Sequence, residues 1–341
     1  MSNELTTLSQ EMLPALQQEM QSVLHVTDQT PGLFYGMIQY HMGWVDAGMT
    51  PITIYSGKQI RPLIALLTCQ AAGGDWRQAL PAAAAVEIIH NFSLVHDDIE
   101  DNSPTRRGRD TVWKLWGVPQ AINTGDAMFA LAHLALNGLV ERGVPAEVVV
   151  HALRRFDDTC VRLTQGQHAD MDFETRAEVT VADYLEMITG KTAVLLSHST
   201  ELGALISGAN PTTVQNYAQF GRHLGLAFQV IDDILGIWGN EAKIGKSAST
   251  DITTKKKTLP VLYGLEQSAS LRRLYASAEA DDAFVAQVVA ELTNTGADAY
   301  AKEKAIAYSN SALAHLEAAN PQGAAGTALY QLADMLLKRD F

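Results

Sequence analysis

The chain has 341 residues, 47% hydrophobic and 18% charged, with 25 Lys and Arg against 38 Asp and Glu. Its formal charge of −13 argues against binding a nucleic-acid backbone, which needs cations to displace counterions. Any anionic ligand must instead find local positive charge against an unfavourable overall field. The apolar share is ample for a core and excludes disorder, and two cysteines, Cys69 and Cys160, support neither a disulfide framework nor a zinc site.

The first twelve residues are polar and acidic, unlike a signal peptide. The longest apolar run, around 128–140, carries His133 and Asn137 and falls short of the ~18 residues of a membrane span. A soluble, cytoplasmic protein with no nucleic-acid partner is expected. In chain order, apolar residues recur at three- and four-residue spacing over 60–72, 80–96, 120–142, 146–170, 181–203, 211–238 and 299–319. Each stretch is too long for a strand, and alanine is abundant. Gly73-Gly74-Asp75, Asn102-Ser103-Pro104, Gly143-Val144-Pro145, Asn210-Pro211 and Asn320-Pro321 punctuate them. A single all-α domain over 1–341 is expected. Only 239–260 breaks the pattern, a polar Lys- and Thr-rich tract that reads as a long functional loop.

The sharpest chemistry lies in Leu94-Val95-His96-Asp97-Asp98-Ile99-Glu100-Asp101. Asp97 and Asp101 are four apart, so they project from one helix face a turn apart, a spacing that suits Mg²⁺. A solvated acidic helix end would look the same, but acids there oppose the helix dipole and need a compensating partner. A second pair, Asp232-Asp233, ends another apolar stretch. A third, Asp157-Asp158, sits among Arg154, Arg155 and Arg162 and reads as a salt-bridged face. Lys58 with Arg61, Arg106 with Arg107, Lys191, and Lys246 with Lys255, Lys256 and Lys257 supply the forks and point charges that two diphosphates need.

These residues resemble the trans-isoprenyl diphosphate synthases, or polyprenyl synthetases. Six signatures occur in order: Gly57-Lys58-Gln59-Ile60-Arg61-Pro62; His96-Asp97-Asp98 through Arg106-Arg107-Gly108; Gly166-Gln167-His168-Ala169-Asp170; Gly190-Lys191-Thr192; Phe228-Gln229 with Asp232-Asp233; and Lys246, Asp251 and Lys256. They span about 56–260, with weaker agreement beyond, around Tyr308 and Leu316. The resemblance implies an antiparallel helix bundle of the isoprenoid synthase type around a central apolar cavity, and a homodimer. It implies Mg²⁺ held by Asp97, Asp101 and Asp232, and an allylic diphosphate held by Arg106, Lys191, Lys246 and Lys256. Isopentenyl diphosphate would fall to Lys58, Arg61, His90 and Arg107, with Thr192 and Gln229 lining the place where positive charge develops. Two departures stand out. Gly236 replaces the last Asp of the second acidic motif, implying weaker metal affinity there. The loop reads Lys-Ser-Ala-Ser-Thr-Asp, so its closing geometry is expected to differ.

Product length in the family follows residues just ahead of the first acidic motif. Phe92 and Ser93 precede Asp97 by five and four residues, and helix geometry puts Ser93, ~6 Å along the axis, directly beneath it. An aromatic at the fifth position alone resembles the geranylgeranyl-forming pattern, with farnesyl diphosphate as the alternative. Ordinary core packing would also account for Phe92. A class I terpene cyclase would need no isopentenyl site, and its second metal motif would carry other residues four and eight positions after Asp232, where Gly236 and Asn240 stand. A non-catalytic synthase subunit would usually lose one acidic motif, and both are present.

Overall fold

Local signals mark where helices begin. Asn3 caps α1 (Glu4–Val23) through its side chain. Pro81 sits in the first turn of α4 (Leu80–Glu100), where its missing N–H leaves no bond unmade. Before α8 (Val181–Ile188), Thr180 and Asp183 exchange side chain-to-backbone bonds in a capping box. Asn210 Oδ1 accepts from Thr213 N–H at 3.0 Å ahead of α10 (Pro211–Trp238). The computed structural model describes residues 3–26, 30–52, 54, 57–239, 250–276 and 281–338, without the side chains of 250 and 282.

Between these lie α2 (Leu33–His41), α3 (Ile60–Ala71), α5 (Val112–Trp116), α6 (Val118–Glu141), α7 (Ala146–Thr175) and α9 (Val194–Ile206). After α10 come α11 (Thr250–Thr253), α12 (Leu259–Gln267), α13 (Ala269–Tyr275), α14 (Asp282–Asn294), α15 (Ala297–Ala319) and α16 (Gly323–Leu337). Two-residue strands β1 (Thr105–Arg106) and β2 (Arg109–Asp110) form an antiparallel hairpin. The all-α class is therefore as the periodicity indicates, and each periodic stretch is helical. The stretch 181–203 is broken by a π-turn at Thr189–Ala193. The shorter helices α2, α5 and α11 to α14 escape the periodicity because few turns give few repeats; α1 and α16, although longer, escape it too. Within the expected loop 239–260, residues 240–249 lie outside the described ones, 250–253 make one helical turn, and α12 has begun by Leu259.

Contacts divide the chain into two compact units. The first comprises Met1–Phe156, Ser199–Val214 and Asn320–Leu329. Here α4 packs against α1, α3 and α6, and Ala82, Ala83, Ala84 and Ala85 are wholly buried, so small side chains let neighbours close on every face. Gly125 of α6 serves the same end: a Cβ there would strike the His96 ring. The second unit comprises Asp157–His198, Gln215–Ala319 and Tyr330–Phe341. Its apolar clusters centre on Met187, Leu226, Val230 and Ile234, and on Ile237, Ile252, Val261 and Phe284. Among the described residues no helix is long and apolar enough to cross a membrane.

Candidate active site

In the first unit the acidic motif closes α4, with Asp101 as its C-cap donating its N–H to Asp97 O at 2.8 Å. Asp97 is half-buried, Asp101 exposed, and Asp98 between them only 2% exposed. Asp98 Oδ1 accepts from Arg106 Nε at 2.7 Å; burial raises the pKa of Asp98 and the guanidinium pulls it back. The hairpin β1–β2 delivers that arginine. Its turn residues Arg107 and Gly108 have φ of 53° and 75°, the left-handed pair of a tight hairpin turn, which favours glycine at the second place. Arg109 anchors it, donating to Tyr40 O and Val45 O at 2.9 Å each.

The cations expected for isopentenyl diphosphate converge in this unit. Arg61, in the first turn of α3, approaches His90 with Nη1 to Nε2 at 3.4 Å. A Cβ on Gly57 would stand 3.4 Å from Arg107 Nη2, so the Gly57-Lys58 and Arg106-Arg107 signatures are neighbours; Lys58 is exposed. Burial first, then the charges of Arg61, Arg107 and Arg106, holds the His90 imidazole neutral. Burial and the charges of Arg107 and Arg106 likewise push His41 down to about 3. Glu87 is buried beside Arg61 and pushed up to about 7 by desolvation, while Arg61 and an Asn91 Nδ2 bond of 3.1 Å oppose the rise. Phe92 packs on His96 and Phe129, with centroids 4.8 and 5.3 Å away, and Phe129, His133 and Phe156 continue the series. Ser93 Oγ donates back to His90 O at 2.8 Å.

The second unit gathers the remaining candidates. Lys191 and Thr192 lie in the π-turn, the wider turn that often marks functional positions. Lys191 Nζ donates to Asp170 Oδ2 at 2.5 Å. Thr192 Oγ1 donates to Gln229 Oε1 at 2.9 Å, and Gln229 Nε2 donates to Asp233 Oδ1 at 3.1 Å. Asp233, 3% exposed, also accepts from Tyr184 Oη at 2.5 Å and Leu259 N–H at 3.3 Å; burial pushes it up to about 7. Asp232 is half-buried and Lys256 exposed; Lys246 lies outside the described residues. Two glycines explain the close crossing of α7 on the π-turn: a Cβ on Gly166 would stand 2.6 Å from Gly190 C, and one on Gly190 2.8 Å from Arg162 O. A cavity of about 500 Å³, lined by Arg162, Phe173, Glu186, Met187 and Arg222 among others, includes none of the candidate diphosphate or metal ligands.

The family model described as polyprenyl synthetase matches residues 43–292. The chain belongs to the polyprenyl synthetase family. A relative from Mycobacterium tuberculosis named (2E,6E)-farnesyl diphosphate synthase is 43% identical over 241 residues, covering 71% of this chain and 66% of that protein's length. A geranylgeranyl diphosphate synthase of the same organism is 44% identical over 243 residues, covering 70% and 68%. Among solved structures, a polyprenyl synthetase from Streptomyces coelicolor superposes with a TM-score of 0.87 at 33% identity, covering 97% and 99%.

Within this chain the two acidic motifs share one arrangement. In each, the first Asp is half-buried and the second is buried and bonded by the protein. Asp98, Asp170 and Asp233 are each met within the protein: Arg106 pairs with the first, Lys191 with the second, and Tyr184 and Gln229 donate to the third. Sequence reading also missed Glu87, Asn91, His41 and Tyr184. Glu87 and Asn91 stood legible as polar positions inside an apolar helix; His41 and Tyr184 carried no such signal.

Proposed function

We propose that this chain condenses isopentenyl diphosphate with an allylic diphosphate, in a Mg²⁺-dependent ionisation, condensation and elimination, to a short all-trans product. The observation that carries this is the pair of acidic motifs: half-buried Asp97 and Asp232, each beside a buried Asp already bonded within the protein, Asp98 by Arg106 and Asp233 by Tyr184 and Gln229. The carboxylates fit magnesium chemically. Among the described residues no three acidic, imidazole or thiol groups converge, and Mg²⁺ needs only one or two carboxylates, with water and substrate phosphates completing its shell.

Asp97, Asp101 and Asp232 would hold the ions, which when bound neutralise charge growing on the departing diphosphate. Arg106, Lys191, Lys246 and Lys256 bind the allylic diphosphate; their partners Asp98 and Asp170 hold two of these cations in place before ligand arrives. Lys58, Arg61, His90 and Arg107 bind isopentenyl diphosphate, and the neutral state of His90 lets it share a proton without adding charge. Thr192 and Gln229, oriented by their mutual bond, present oxygens to the allylic cation. Released diphosphate takes the proton.

We read the product as geranylgeranyl diphosphate, with Phe92 seated on Phe129 as the floor and Ser93 beside it. Farnesyl diphosphate is the second reading, favoured by relatives named for each product. A homodimer is the assembly the family resemblance implies, and light scattering measures it. Radiolabelled isopentenyl diphosphate, supplied with each allylic primer, tests the activity. Incorporation is expected with Mg²⁺, collapsing under chelation far more than under added salt. No incorporation with any primer sinks the reading, and product chromatography separates the two lengths.

A further inference from the structure

Three polar residues of α4 gather beside Arg61. Glu87, His90 and Asn91 stand three and four positions apart, hence on one face of an otherwise apolar stretch of helix. Glu87 is 3% exposed and Asn91 1%, and Asn91 Nδ2 donates to Glu87 Oε1 at 3.1 Å. His90 meets Arg61 Nη1 at 3.4 Å, which brings the guanidinium to that same face. Arg61 Nε is buried without a hydrogen-bond partner among the described residues. Among them, Glu87 is also the one acid whose charge acts on Arg61.

A carboxyl in this place is held between opposing effects. Burial favours its neutral form, while Arg61, the bond from Asn91 and the charge of Arg107 favour the ionised one; the balance falls at about 7. Among the described residues no charged group of α1, α5 or α6, the other long or short helices packed on α4, acts on Glu87. His41, at the end of α2, and His90 itself are kept neutral by burial and the surrounding arginines, so neither adds a charge. A diphosphate arriving at Arg61 brings several negative charges to this balance, all of which disfavour an ionised Glu87.

We propose that Glu87 is a proton-coupled positioning residue of the isopentenyl diphosphate pocket: ionised, it competes for the Arg61 guanidinium, and on diphosphate binding it takes up a solvent proton and leaves Arg61 to the ligand. The step makes one O–H bond and breaks none in the ligand; a carboxylate and a proton become a carboxylic acid. The inference rests on the proposed function, in which Arg61 holds isopentenyl diphosphate. Well below pH 7 Glu87 is already protonated and binding requires no further proton. Above pH 7 each binding event must recruit one, so affinity falls as pH rises, by up to about tenfold per pH unit. The Asn91 bond favours the ionised carboxyl and so sets where that decline begins.

The test is isopentenyl incorporation at saturating allylic diphosphate and Mg²⁺, from pH 6 to 9, by the unsubstituted chain, Glu87→Gln and Asn91→Ala. Thermal unfolding checks that each is folded. The ratio of KM for isopentenyl diphosphate, unsubstituted chain over Glu87→Gln, cancels the ligand's own ionisation. That ratio is expected to rise about tenfold between pH 6 and 8.5. The KM for the allylic diphosphate keeps the same pH dependence in both proteins, which a general loosening of the fold would not produce. Asn91→Ala holds the KM for isopentenyl diphosphate low to a higher pH than the unsubstituted chain, and this variant carries the test should Glu87→Gln not fold. A ratio independent of pH, an equal rise for both substrates, or an unshifted Asn91→Ala profile overturns the inference alone. No incorporation by the unsubstituted chain at any pH overturns the proposed function, and this inference with it.

Discussion

Gly166→Ala places one methyl group where α7 crosses the π-turn, and two effects of opposite sign compete. In a free helix, alanine is better than glycine by about 1 kcal/mol. Here the new Cβ would stand 2.6 Å from Gly190 C and 2.8 Å from Lys191 Cα. Carbon atoms settle at about 3.5–4.0 Å, so the two segments must part by about 1 Å. All these neighbours are backbone, and no rotamer change relieves them. Overpacking of this kind costs about 1–3 kcal/mol, which more than offsets the propensity gain and leaves a loss of about 1 kcal/mol, or a few degrees in Tm. Activity should suffer more. Lys191 is displaced relative to Asp170 and Thr192 relative to Gln229, and about 1 Å of misplacement costs about 10²-fold in rate. Thermal unfolding and isopentenyl incorporation, measured together, decide the matter. A raised Tm with unchanged turnover would refute the argument, because it would mean that propensity wins and the crossing is slack.

Glu87→Gln should change how stability depends on pH. The folded pKa is raised from 4.5 to about 7 by burial, so the folded state binds the extra proton. The stability linked to that proton is full below about 4.5 and is lost as pH rises through about 7, amounting to about 3 kcal/mol. The Gln variant lacks that decline, so it gains on the unsubstituted chain between pH 4.5 and 8 in denaturant unfolding; a constant difference would contradict the assignment. Phe92→Ala opens the floor beside Phe129 and should shift products longer by chromatography. An unchanged product distribution would remove Phe92 from that role.

Helical periodicity made most of the long helices legible, α1 and α16 excepted, because an apolar stripe repeated over several turns has no other stable reading. Short helices such as α11 and α13 gave too few repeats. The site was legible as residue types and spacings: acids four apart, a Gly-Lys-Thr interruption, a cluster of arginines. How those groups divide their work was not. Asp97 and Asp98 are alike in sequence, as are Asp232 and Asp233, and only the positions of Arg106 and Tyr184 separate an outward carboxylate from a buried one.

The amino-acid sequence by itself determined the helical class, the family signatures and the acidic and basic inventory, since these depend on local periodicity and on side-chain chemistry. The tertiary structure alone decided which charges neutralise one another and where backbones touch. Tyr184 meets Asp233 across 49 positions, and Asp251 fills the space that Gly236 leaves on another helix. Such pairings depend on how elements pack, and one missing Cβ is as decisive there as any charged group.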